Sequence, residues 1–181
     1  MVYLFLGLFL WSAGHFFKRL APDMRASMGL AGKGVAALVI LGGLVLMVIG
    51  YQRAEFINLW FPPGWTVHLN NLLMLLAVFV YGMSMTKGRL RGAMRHPQLT
   101  AVKIWAVAHL LVNGDLASVI LFGGLLIWAV IEVIMINRSE VRVRLEPGPA
   151  KRDLVLVAVT LVLFGVITWL HNWLGVWPFP G

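Results

Sequence analysis

The stretch RLRGAMRHPQLTAVKIWAVAHLLVNG, residues 89–114, joins a basic segment to an apolar one. Between Thr100 and Val112 the side chains are apolar apart from Lys103 and His109. Proline suits the first turn of a helix, and arginine suits the cytoplasmic boundary of a membrane. The pattern therefore predicts a membrane helix that starts just after Pro97 and carries two ionisable side chains at lipid depth.

The composition of the whole chain indicates that its solvent is lipid. Of 181 residues, 60% are hydrophobic and 12% are charged, whereas soluble domains are about half apolar. A spanning helix needs about 20 mostly apolar residues. We therefore predict an all-α, polytopic membrane bundle that forms a single domain over residues 1–181. Its six predicted transmembrane helices cover 1–17, 34–51, 66–86, 99–113, 116–136 and 153–174.

The distribution of cations predicts the orientation of these helices. The net charge is +8, but the cations lie in short connections and form no basic face with interleaved aromatics, so a nucleic-acid partner is not expected. With six spans, thirteen of the fifteen cations fall on one side. The positive-inside rule then places both termini on the outer, periplasmic side of a bacterial inner membrane. The thirteen are Lys18, Arg19, Arg25, Lys33, Lys87, Arg89, Arg91, Arg95, Arg138, Arg142, Arg144, Lys151 and Arg152.

Ionisable residues inside predicted spans are candidates for function. Lys103 and Glu132 fall at similar depth, so they are expected to form an ion pair or to reach the nearby surface; the alternative is a polar wall around a ligand. His109 either bonds to a neighbouring helix or ligates haem iron, and Trp105, one turn away on the same face, would line the same pocket. The chain has no cysteine, which excludes thiolate ligation, and no His-x-x-x-His pair predicts a zinc hydrolase.

The triplet Arg95-His96-Pro97 has two interpretations. It is a common way to begin a helix at a cytoplasmic boundary. It is also a candidate anion grip, because a guanidinium beside the positive end of a helix favours carboxylate or phosphate.

Three segments resemble the NnrU family of bacterial membrane proteins. They are RHPQLTAVKIWAVAHLLVNGD (95–115), WSAGHFFKRL (11–20) and LAPDMRASMG (20–29). The family takes its name from a gene linked to nitrate and nitric-oxide respiration. It is related to plant 15-cis-zeta-carotene isomerase, an integral membrane enzyme that uses haem b. The resemblance implies a haem b protein in or alongside denitrification, with zeta-carotene-isomerase-like redox chemistry as one form of its activity.

The resemblance also implies which residues hold the haem. His109 matches the histidine of the relative's Ala-His element and His15 a histidine at the end of a span, so these two are the implied iron ligands. His96 matches the histidine of the relative's Arg-His-Pro element. With Arg95 beside it and Trp105 one turn from His109, it completes the predicted cofactor-binding set. Ala106 stands where the isomerase has a cysteine, so ligand switching through a thiolate is excluded here. By predicted depth alone, His68 or His171 would suit His109 better than His15 does.

Two other functions stay open from the sequence. Arg-His-Pro is also similar to part of the RHPxY motif of membrane methyltransferases that use S-adenosylmethionine, although Leu99 replaces the tyrosine. The chain is alternatively a non-enzymatic assembly protein for a respiratory reductase. The expected partners are the lipid bilayer and an apolar small molecule such as a carotenoid, or respiratory components. The pairs Gly42–Gly43 and Gly123–Gly124 permit close helix contact, either inside one chain or in a homo-oligomer.

Overall fold

The structure, a computed structural model, describes residues 1–141 and 145–179, so Arg142 and Arg144 of the predicted inner loop lie outside the described residues. These residues include two short turns of other helix types: a 3-10 turn at Arg89–Gly92, and a π turn at Val119–Gly123 that joins the helices Leu116–Ser118 and Gly124–Ser139 into one continuous helix. The described residues form no strand beyond one isolated bridge, which confirms the all-α prediction. The α-helices are α1 Val2–Leu20, α2 Pro22–Ser27, α3 Gly29–Gln52, α4 Thr66–Gly82, α5 Pro97–Val112, α6 Leu116–Ser118, α7 Gly124–Ser139 and α8 Lys151–Trp173.

Each of the six predicted spans corresponds to a helix, but among residues 1–141 and 145–179 only three helices are both long and apolar enough to cross a membrane: Gly29–Gln52, Leu116–Ser139 and Lys151–Trp173. This is fewer than the six predicted spans. The apolar helices α4 and α5 have only 17 and 16 residues. Helix α1 has 19 residues, but its last turn carries Lys18 and Arg19, which lower its mean hydropathy.

The helices divide between two compact units. Unit 1 comprises Met1–Phe61 and Gly114–Glu140, and therefore contains α1, α2, α3, α6 and α7. Unit 2 comprises Pro62–Asn113 and the described part of Val141–Gly181, and contains α4, α5 and α8.

In unit 1, α1 packs along α3 at a distance that requires glycine. A Cβ atom added to Gly43 would lie 2.6 Å from the backbone nitrogen of Trp11, whereas Gly42 faces open space. In the pair Gly123–Gly124, the second glycine packs against Leu8 of α1 and the first faces open space. One glycine of each pair is therefore used for packing inside the chain.

The start of the continuous helix 116–139 is fixed by side-chain hydrogen bonds. Asp115 caps it: one carboxylate oxygen accepts from the backbone N–H of Ser118 at 2.9 Å, and the other accepts from its hydroxyl at 2.5 Å. The Ser118 hydroxyl also lies 2.8 Å from the hydroxyl of Tyr51 on α3. Because a carboxylate can only accept, the serine donates to Asp115 and accepts from Tyr51.

In unit 2, α4 packs against both α5 and α8. Its buried core includes Val80, Ala101 and Leu156, one residue from each of the three helices. At one end, the Gly148 backbone N–H donates to the carbonyl of Gly88. The cavity described next is lined by the same three helices, α4, α5 and α8.

Candidate cofactor sites

Unit 2 contains an open-sided cavity of about 350 Å³ among α4, α5 and α8. This volume lies in the range of roughly 300–1,000 Å³ that is usual for small-molecule pockets. Each helix contributes one face, since the lining positions recur every three or four residues along it. Tyr81, Trp105 and His171 are the lining side chains with polar atoms. The full lining is Met74, Ala77, Val78, Tyr81, Ala101, Val102, Trp105, Leu163, Ile167 and His171.

Two histidines of unit 2 are held in the same protonation form. The Nδ1 atom of His109 lies 2.9 Å from the carbonyl oxygen of Trp105, and Nδ1 of His171 lies 2.7 Å from the carbonyl oxygen of Ile167. A carbonyl can only accept, so Nδ1 carries a proton in both rings. Metal-bound histidines are usually oriented in this way, with the second ring nitrogen donating to a carbonyl or carboxylate.

His109 and Trp105 form the one-turn pair that the sequence predicted. Their ring centroids are 5.1 Å apart on α5. Trp105 lines the cavity together with His171. The imidazole of His171 therefore lines the apolar cavity, and that of His109 lies next to Trp105, which lines it.

In unit 1, His15 has the same local geometry. Its Nδ1 lies 2.8 Å from the carbonyl oxygen of Trp11. The imidazole contacts two indoles, with centroids 4.5 Å from Trp11 and 4.7 Å from Trp128. Since His15 and His109 belong to different units, their pairing across one iron stays a prediction.

Within unit 1, Glu132 pairs with Arg19, whose guanidinium NH1 lies 2.6 Å from Oε1. Lys103 belongs to unit 2, so the predicted ion pair between Lys103 and Glu132 stays a prediction. Helix α1 continues to Leu20, beyond the predicted end of the first span at residue 17. Arg19 is therefore on a helix that packs against α7, and it reaches Glu132 there.

Sequence reasoning also missed the contacts that surround this ion pair. Trp11, His15 and Arg19 follow one another at intervals of four residues, so they share a face of α1. The same spacing places Trp128 and Glu132 on one face of α7. The four-residue spacing could have predicted that these side chains share a face of α1. It was overlooked because Arg19 was assigned to the loop after the first span.

The triplet Arg95-His96-Pro97 begins α5. His96 is the N-cap residue and Pro97 is the first helical residue, which confirms the helix-start interpretation. Arg95 and His96 are each engaged in further interactions. Their predicted contact with a cofactor or anion stays a prediction.

Among residues 1–141 and 145–179, no three His, Cys, Asp or Glu side chains are grouped as ligands for a metal ion. A haem iron needs fewer protein ligands, because the macrocycle occupies four positions and the protein supplies only the axial ones. The imidazoles described above are therefore the relevant donors.

A family model described as NnrU protein matches residues 3–178. The chain belongs to the NnrU family. No curated protein and no solved structure matches it. The NnrU match extends over both compact units and includes the positions of His15, His96 and His109, so the resemblance seen in the three sequence segments is confirmed.

Proposed function

We propose that this NnrU-family chain is a membrane protein that binds haem b through His109. The observation that carries the proposal is the position of this imidazole: its Nδ1 proton is committed to the Trp105 carbonyl, and it lies beside Trp105, which lines the 350 Å³ cavity. The donor set fits haem, because a neutral imidazole is a common axial ligand and an apolar wall suits the macrocycle. When bound, haem supplies one-electron chemistry that the side chains of this protein lack.

We propose that His171 is the second imidazole that would hold the haem. His171 lines the cavity, has the matching Nδ1 hydrogen bond and belongs to the same unit as His109. The resemblance instead implies His15. The two candidate ligand pairs, His109 with His171 and His109 with His15, predict different results. His171→Ala should change the haem spectrum only if His171 is a ligand.

The surrounding side chains would bind and shield the group. Ala101 and Val102 on α5, with Leu163 and Ile167 on α8, present apolar surface to the cavity. Such a wall excludes water and lowers the local dielectric, which tunes the reduction potential of a bound metal centre. The same wall suits an apolar substrate, as the zeta-carotene-isomerase-like proposal requires. With the family link to nitrate and nitric-oxide respiration, this supports a haem protein acting in or alongside denitrification.

We also propose that all six principal helices cross the bacterial inner membrane, with both termini outside. The charge distribution supports this topology, and three of the helices meet the length and composition needed for spanning. The native chain has no cysteine, so single cysteines can be placed without a background signal. In intact cells, a membrane-impermeant maleimide should label Val176→Cys but not Lys87→Cys; the reverse pattern would contradict the orientation.

The haem proposal is tested with histidine variants that differ only in position. Purified His109→Ala should bind added haemin at least about tenfold more weakly than the wild type, because the loss of a ligand exceeds the 10–100-fold cost of losing a supporting contact. His68→Ala is the control, since His68 lies in the same unit on α4 but, unlike His109, makes no ring contact with a described side chain that lines the cavity. Haemin titrations followed at the Soret band give the affinities. Equal binding by the two variants would remove His109 from the site.

A further inference from the structure

Four buried polar atoms of unit 1 lie in one cluster without a hydrogen-bond partner among the described residues: Trp11 Nε1, Arg19 Nε, Trp128 Nε1 and Glu132 Oε2. We call these four residues the Arg19 cluster. The indoles of Trp11 and Trp128 are 5.4 Å apart, Glu132 follows Trp128 by one turn, and Arg19 is bonded to Glu132. The four residues are therefore neighbours in unit 1.

Leaving these atoms unsatisfied would be costly. An unpaired buried donor or acceptor costs roughly 1–3 kcal/mol, and the cost is higher in a membrane, where lipid offers no alternative partner. Glu132 and Trp128 are each only 5% exposed, so bulk solvent does not compensate them. A shared ligand that satisfies several of the atoms at once explains why they occur together.

The chemistry of the four atoms restricts what this ligand can be. Three of them are N–H groups that only donate, and the fourth is a carboxylate oxygen that only accepts. The ligand must therefore both accept and donate hydrogen bonds. A metal cation would meet three N–H donors, which disfavours it.

The charges around the cluster argue against an anion. Arg19 is already bonded to two carboxylates, Glu132 at 2.6 Å and Glu140 at 3.3 Å. Lys18 adds a second cation 3.9 Å from Glu140, so two positive and two negative groups balance. A neutral ligand meets no net repulsion here, whereas an added anion gains no net attraction and must approach Glu132.

We propose that the Arg19 cluster binds water and is a hydrated, proton-exchanging site inside unit 1. Water donates to Glu132 Oε2 and accepts from the indole and guanidinium N–H groups, and buried waters typically make about three such bonds. Access is provided at the same end of α1, where Glu140 and Lys18 have side chains 47% and 73% exposed. The bound water places an exchangeable proton beside an intramembrane carboxylate, which is the arrangement found in proton relays.

The experiment uses the full chain in detergent micelles with ¹⁵N-labelled tryptophan. The indole resonances of Trp11 and Trp128 are assigned through Trp11→Phe and Trp128→Phe. In the wild type, both indole protons should show cross-peaks to water. The double variant Arg19→Met with Glu132→Leu replaces the ion pair by apolar groups of similar size, and both water cross-peaks should disappear while the other resonances are retained.

Two results would overturn the proposal. One is the absence of a water cross-peak from both indoles in the folded wild-type protein. The other is a saturable shift of both resonances when chloride is added at constant ionic strength, which would show that the cluster is an anion site.

Discussion

Replacing Arg19 by alanine is expected to destabilise the protein by about 3–5 kcal/mol, the usual cost of removing one partner of a buried ion pair. Glu132 is 5% exposed and would be left without its cation. Thermal unfolding in detergent micelles, followed by circular dichroism, measures the loss. A lower yield of folded protein from membranes should accompany it.

The neighbouring residue provides the control for this prediction. Lys18 has a side chain that is 73% exposed and lies 3.9 Å from Glu140, so Lys18→Ala should cost less than about 1 kcal/mol. The double replacement Arg19→Met with Glu132→Leu should recover much of the lost stability, because no charge then remains buried. Equal losses in Arg19→Ala and Lys18→Ala would show that the Arg19–Glu132 pair is not buried as described.

Replacing Gly43 by leucine should also have a large effect, about 3 kcal/mol of lost stability. The first added carbon would lie 2.6 Å from the Trp11 backbone nitrogen and 2.8 Å from the Gly7 carbonyl oxygen. Both contacts are with backbone, so α1 would have to move away from α3 as a whole. The measurement is the midpoint of thermal unfolding in micelles.

Gly42→Leu is the matched control, because an added Cβ at Gly42 meets no atom within 4 Å. It adds the same side chain one residue away on the same helix, so it should leave the unfolding midpoint close to that of the wild type. Similar midpoints for Gly42→Leu and Gly43→Leu would contradict the close packing of α1 on α3. A selective loss in Gly42→Leu would instead indicate that the open face contacts another molecule.

The helices could be predicted from sequence because lipid requires long apolar runs, and each predicted run became a helix. Their ends were less certain, since a helix continues past the apolar run wherever its polar side chains find partners. Helix α1 continues through Lys18 and Arg19 because Arg19 reaches Glu132 and Glu140. The π turn at Val119–Gly123 was not predicted, because it alters backbone hydrogen bonding without an evident signal in residue type.

The candidate site was predictable only in its local part. The pairing of Trp105 with His109 follows from four-residue spacing on one helix. The cavity depends on how α4, α5 and α8 pack, and the contact of His15 with Trp128 joins residues more than a hundred positions apart. No periodicity within one helix contains such information. For the same reason the partner of Glu132 was found only when the helices were seen together.

The central claim is that an imidazole in an apolar helical unit holds haem iron. The most direct test is the optical spectrum of the gently extracted wild-type protein, recorded oxidised and then after reduction with dithionite. The account predicts a strong Soret band that shifts on reduction, with the sharp visible bands of a haem with two imidazole ligands. A colourless protein that also takes up no added haemin would contradict it.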